Sequence, residues 1–128
     1  MAKILLVDDE VALTEILREC LMGDGHSVVI CHDPAAAART ALQEGPDMAI
    51  IDYQMPNKTG IEVLADLRAQ AETRLLPVLF LSGTETLRFA GKVPAEPRVR
   101  FLSKPMDMDV LATAIKEMLD PNGWSTPL

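Results

Sequence analysis

Five short, mainly apolar runs limit what this chain can fold into. They are Ile4-Leu5-Leu6-Val7, Val28-Val29-Ile30, Met48-Ala49-Ile50-Ile51, Val78-Leu79-Phe80-Leu81 and Val99-Arg100-Phe101-Leu102, the last interrupted by an arginine. An unbroken apolar run of this length suits a strand buried on both faces, as in a parallel sheet. A helical segment is expected after each run. Leu13, Ile16, Leu17, Cys20 and Leu21 share one helical face, and Gly23 and Gly25 can close that helix. Asp33-Pro34 reads as a cap followed by proline at the first helical position, and the alanine-rich stretch behind it runs through Leu42 to Gly45-Pro46. Ile61, Leu64 and Leu67 mark a third helix, and Leu111, Ala114, Ile115 and Met118 mark the last, which Asp120-Pro121-Asn122-Gly123 ends. Between the fourth and fifth runs, residues 84–90 can form a short helix, but Gly91, Pro94 and Pro97 oppose its continuation. An atypical, shortened or displaced helix is expected there. This alternation predicts an α/β fold, a doubly wound five-stranded parallel sheet with helices on both faces.

A chain of 128 residues with 48% hydrophobic residues suits one domain with a real core. The domain is expected to span residues 1–120, with residues 121–128 a tail or the start of a linker. A net charge of -7 argues against direct nucleic-acid binding by this chain, because it would repel phosphates. Cys20 and Cys31 form neither a metal-ligand pattern nor a disulfide framework, and read as reduced thiols of a cytoplasmic protein. The Met1-Ala2-Lys3 start lacks a signal-peptide pattern, and no apolar stretch reaches the ~20 residues of a membrane helix. That start favours a stand-alone protein or an N-terminal domain.

In open parallel sheets, ligands bind at the carboxyl ends of the strands. The polar residues just after the apolar runs are therefore the candidate site: Asp8, Asp9, Asp52, Ser82 and Lys104. Singly, each has an ordinary explanation. An Asp after a strand is a common helix cap, a Ser there a turn residue, and a Lys a solvated charge. Together they bring three carboxylates, a hydroxyl and an ammonium to one edge. Three close carboxylates stay ionised only with a compensating cation, and Mg2+ takes such ligands while bridging to phosphate oxygens. A nucleophilic carboxylate, a metal site and two phosphate-holding groups support phosphoryl transfer through an aspartyl phosphate.

With these residues in view, the sequence resembles the receiver domain of two-component response regulators. The resemblance rests on Val7-Asp8-Asp9-Glu10, Asp52-Tyr53-Gln54-Met55-Pro56 with Gly60 behind it, Ser82-Gly83 and Lys104-Pro105. It implies a flavodoxin-like strand order, 2-1-3-4-5. It implies that Asp52 is the phosphoacceptor, and that Asp8, Asp9, Asp52 and the backbone carbonyl of Gln54 hold Mg2+. It gives Ser82 and Lys104 the phosphoryl oxygens, and makes Lys104-Pro105 a cis peptide. Phe101 stands where the family has its switch aromatic, although a core strand residue is an equal reading. The implied partners are a sensor histidine kinase or histidine phosphotransfer protein, and a downstream protein or fused output domain. Homodimerisation is common in the family. Such a domain is not an enzyme in the usual sense, since it catalyses only its own phosphorylation and dephosphorylation.

Two rivals remain at this point. A phosphohydrolase with an aspartyl-phosphate intermediate would need a general acid two residues after the nucleophile, where Gln54 stands. The other rival is a receiver-like module that binds protein independently of phosphate.

Overall fold

The computed structural model describes residues 2–83, 98–103 and 107–120. The chain runs β1 (Lys3–Val7), α1 (Val11–Gly23), β2 (Ser27–Cys31), α2 (Ala37–Glu44), β3 (Met48–Asp52), α3 (Gly60–Arg68), β4 (Val78–Ser82), β5 (Val99–Ser103) and α4 (Met108–Leu119). The strands pair in parallel in the order β2-β1-β3-β4-β5. The segment in which an unusual helix is expected, between β4 and β5, lies outside the described residues. Among the described residues, no helix is long and apolar enough to cross a membrane.

The continuous apolar strands have a direct structural cause. Alternate residues feed two separate cores. Ile4, Leu6, Met48, Ile50, Leu79 and Leu81 pack toward α1 and α4 with Leu17, Leu21, Ile115 and Met118. Leu5, Val7, Ala49, Ile51, Val78 and Phe80 pack toward α2 and α3 with Ala41, Val63, Leu64 and Leu67. A strand covered on both sides has no polar face to show in its sequence.

In α1 the apolar face is rotated from the expected one. Thr14, Leu17 and Leu21 are buried, whereas Ile16 is 56% exposed. Burying Thr14 is tolerated because its hydroxyl donates to the Val11 carbonyl at 2.7 Å. Asp33 does act as a cap, accepting from the Ala35 N–H at 3.0 Å, but it caps a single 3-10 turn (Pro34–Ala36) that precedes α2. Gly45 then closes α2 with a left-handed φ of 59°.

The loop from Tyr53 to Thr59 carries the chain from β3 into α3. A capping box fixes its far end: Thr59 Oγ1 accepts from the Glu62 N–H at 3.3 Å, and Glu62 Oε1 accepts from the Thr59 N–H at 3.0 Å. Gly60 packs directly on the sheet. A Cβ there would lie 2.8 Å from Phe80 Cε1 and 3.0 Å from the Tyr53 Cα. Gly60→Ala is therefore expected to cost about 1–3 kcal/mol, since a buried ring and the loop backbone at Tyr53 must shift. This outweighs the ~1 kcal/mol that alanine gains over glycine inside a helix. Urea denaturation of the variant checks the sign.

Candidate functional site

The register of the sheet assembles the site. β1 and β3 are neighbours with Val7 opposite Ile51, so Asp8 and Asp52, the next residues, stand side by side at the strand ends. One carboxylate oxygen each from Asp8, Asp9 and Asp52 lies within 4.8 Å of the others. Among the described residues this is the group of His, Cys, Asp and Glu donors close enough to hold one metal ion. Asp8 is 1% exposed and Asp52 8%, while Asp9 faces solvent.

Local hydrogen bonds orient the carboxylates. Asp8 Oδ1 accepts from the Glu10 N–H at 2.9 Å, and Asp52 Oδ1 accepts from the Gln54 N–H at 3.2 Å. Both are bonds to the backbone two residues on, the geometry of an Asx turn. The carbonyl of Asp8 lies 2.9 Å from His32 Nδ1. A carbonyl can only accept, so Nδ1 is the protonated nitrogen in this contact. Together with the Asp8 N–H to Cys31 carbonyl bond at 3.2 Å, it extends the β1–β2 ladder past the end of the strand. The peptide joining the two acidic residues is thereby fixed.

Three carboxylates at this spacing repel one another, and burial of two of them raises the cost. Hard oxygen donors in such a cluster fit a divalent cation, bound directly or through water. In β4, Leu81 pairs with Asp52, and Ser82 is the next residue, 1% exposed. Its Oγ lies 3.5 Å from the Gly83 carbonyl, the long limit of a hydrogen bond. Gln54 sits on the exposed loop beside Asp52. Lys104, and with it the Lys104-Pro105 peptide, lies outside the described residues.

Phe101 is half-buried on β5, opposite Phe80. It belongs to a three-ring cluster with Phe80 and Tyr53. Burial raises the Tyr53 phenol above its ordinary range, so it is neutral at neutral pH. Sequence reasoning assigned no role to His32 or Tyr53. His32 had one signal, its place directly after a strand; Tyr53 had another, its place directly after the central Asp.

Comparison with known proteins agrees with this geometry. The profile of the response regulator receiver domain matches residues 4–116. The transcriptional regulatory protein CpxR of Klebsiella pneumoniae subsp. pneumoniae is 36% identical over 128 residues, which cover 98% of this chain and 52% of CpxR. The chain thus spans about half the length of the curated relatives it matches. A response regulator receiver domain protein from Clostridium thermocellum superposes with a TM-score of 0.87 at 25% identity, covering 98% of this chain and 100% of the other. The receiver domain of the sensor histidine kinase PA1611 from Pseudomonas aeruginosa PAO1, which carries a magnesium ion in its active-site cleft, shares the fold with a TM-score of 0.81 at 21% identity, covering 92% and 97%. A cluster of three aspartates at the ends of β1 and β3, on a sheet of this order and with a family match over nearly its whole length, means that the chain belongs to the response regulator receiver domain family.

Proposed function

We propose that this chain is the phosphoacceptor of a two-component phosphorelay, with Asp52 as the residue that is phosphorylated. The observation that carries this reading is the meeting of Asp8, Asp9 and Asp52 within 4.8 Å at one edge of the sheet. In the proposed reaction an Asp52 carboxylate oxygen attacks the phosphorus of a phosphohistidine on a sensor kinase or phosphotransfer protein. The P–N bond breaks, and its electron pair leaves with the donor imidazole. Hydrolysis by water later returns Asp52 and inorganic phosphate.

Asp8, Asp9, Asp52 and the Gln54 carbonyl are the proposed ligands of Mg2+. Bound there, Mg2+ neutralises the carboxylates and the incoming phosphoryl oxygens. Ser82 donates its hydroxyl to one phosphoryl oxygen and Lys104 its ammonium to another. Phosphorylation adds about -1.5 to -2 charges at Asp52. Drawing Ser82 toward them empties space that Phe101 can take, which shifts the population toward a second arrangement of β4 and β5. The output runs through a downstream protein or a fused domain. CpxR is a transcriptional regulatory protein about twice the length of this chain, which favours an output in transcription made by a partner or a further domain.

Intact-protein mass spectrometry after incubation with Mg2+ and acetyl phosphate tests the reading. One added phosphoryl group, absent in chelator, is the expected result. If neither an adduct nor beryllofluoride binding is found, the phosphorelay role is lost and phosphate-independent protein binding takes its place.

A further inference from the structure

Tyr53 is the only tyrosine among five aromatic residues in the chain, and it directly follows the proposed phosphoacceptor. Its backbone is tied on both sides. Its N–H donates to the Leu81 carbonyl at 2.9 Å, and its carbonyl accepts from the Gly60 N–H at 2.9 Å. Its ring, 8% exposed with the residue, meets Phe80 edge-on at 5.7 Å and 86°, and Phe101 at 5.8 Å and 56°. Phe80 and Phe101 close the triangle at 5.1 Å and 31°.

These contacts make a short physical connection. Phe80 lies two residues before Ser82 on β4, so both side chains project from the same face of the sheet. Phe101 belongs to β5, at the edge of the sheet, and is half-buried, so it has room that Phe80 lacks. Tyr53 touches both rings, and its Cα is one peptide from Asp52. Tightly packed rings have discrete arrangements rather than a continuous range. A change at the Asp52 peptide therefore reaches Phe101 through a ring as well as through Ser82.

We infer that Tyr53 is a positioning residue that couples the state of Asp52 to the packing of Phe101, so that the switch is a three-ring unit and not a single aromatic side chain. This rests on the phosphoacceptor reading above. The ring is the working part: it fills the angle between Phe80 and Phe101, which an aliphatic side chain cannot do with the same edge-to-face geometry.

The test uses amide NMR spectra of the full chain, with Mg2+ alone and with Mg2+ and beryllofluoride. In the natural protein, beryllofluoride is expected to shift the amides of residues 52–54 and of β5. Tyr53→Leu is expected to bind beryllofluoride within a few-fold of the natural affinity, yet show β5 shifts of about half size or less. Tyr53→Phe, which keeps the ring, should respond in full. Phe101→Leu supplies the reciprocal measurement should Tyr53→Leu fold poorly, and should shrink the shift at the Tyr53 amide while leaving that at Asp52. Full β5 shifts in folded Tyr53→Leu, or a full Tyr53 shift in Phe101→Leu, overturn the coupling. Absence of beryllofluoride binding by the natural protein overturns instead the reading on which it rests, and the coupling with it.

Discussion

Asp52→Asn is expected to take up no phosphoryl group and, in chelator, to unfold at a higher temperature than the natural protein. The first effect is complete, because an amide oxygen is not a competent nucleophile for phosphorus here. The second follows from Coulomb's law. Two like charges about 4 Å apart cost roughly 1 kcal/mol in water and about 4 kcal/mol at the effective dielectric of a protein surface. Asp52 stands within 4.8 Å of two such partners, one buried and one exposed. Asparagine removes the charge yet keeps an oxygen to accept from the Gln54 N–H, the bond that Asp52 makes at 3.2 Å. A net gain of about 1–2 kcal/mol is the expected balance, a loss of activity traded for stability. Saturating Mg2+ should narrow the difference, since a ligand at 100 times its Kd stabilises by about 2.7 kcal/mol and the natural protein binds it better. Thermal unfolding of both proteins, with chelator and with Mg2+, measures all of this. If Asp52→Asn proved the less stable in chelator, an attractive partner of Asp52 would have to outweigh the repulsion within the cluster.

The sequence was most legible where one periodicity had one cause. The central strands β1, β3 and β4 appear as apolar runs because both of their faces are covered, and the polar residues that end them, Asp8, Asp9, Asp52 and Ser82, lie along one edge of the sheet. The face of α4 was also readable, with Leu111, Ala114, Ile115 and Met118 all buried. The strand order came from the family resemblance, since alternation alone allows several orders. The α1 face was misread at Ile16 because a threonine with its hydroxyl bonded to the backbone can take a core position, and residue polarity does not show that. The His32 contact to Asp8 and the Tyr53 ring cluster were invisible for a different reason. Both depend on register between strands distant in sequence, and no local pattern encodes which residue will face which. Lys104 and the segment between β4 and β5 lie outside the described residues, so those expectations stand as the sequence states them.

Phe80→Ala should cost more stability than any other change considered so far, about 3–5 kcal/mol. A domain of this size has about 5–15 kcal/mol in all, so the variant would be close to the limit of folding. Phe80 is fully buried in β4, between β3 and β5; its ring meets Tyr53 and Phe101 and lies where a Cβ on Gly60 would point. The cost depends on how far the surroundings collapse into the vacated volume. On the Tyr53 and Gly60 side there is little to give, because those backbones are joined by the 2.9 Å hydrogen bond. On the other side Phe101 is half-buried and can slide inward, which would bring the loss toward 3 kcal/mol. The contact with Gly60 supplies a sharper check. Gly60→Ala is costly mainly because its new Cβ would lie 2.8 Å from Phe80 Cε1. With the ring gone that clash disappears, and only the 3.0 Å approach to the Tyr53 Cα remains. Gly60→Ala should therefore cost less in the Phe80→Ala background than in the natural one, by about 1 kcal/mol or more. A urea-unfolding double-mutant cycle reads this directly. Additive losses would mean that Phe80 moves away from the new methyl at little cost, and that α3 does not rest on the ring as tightly as the geometry requires.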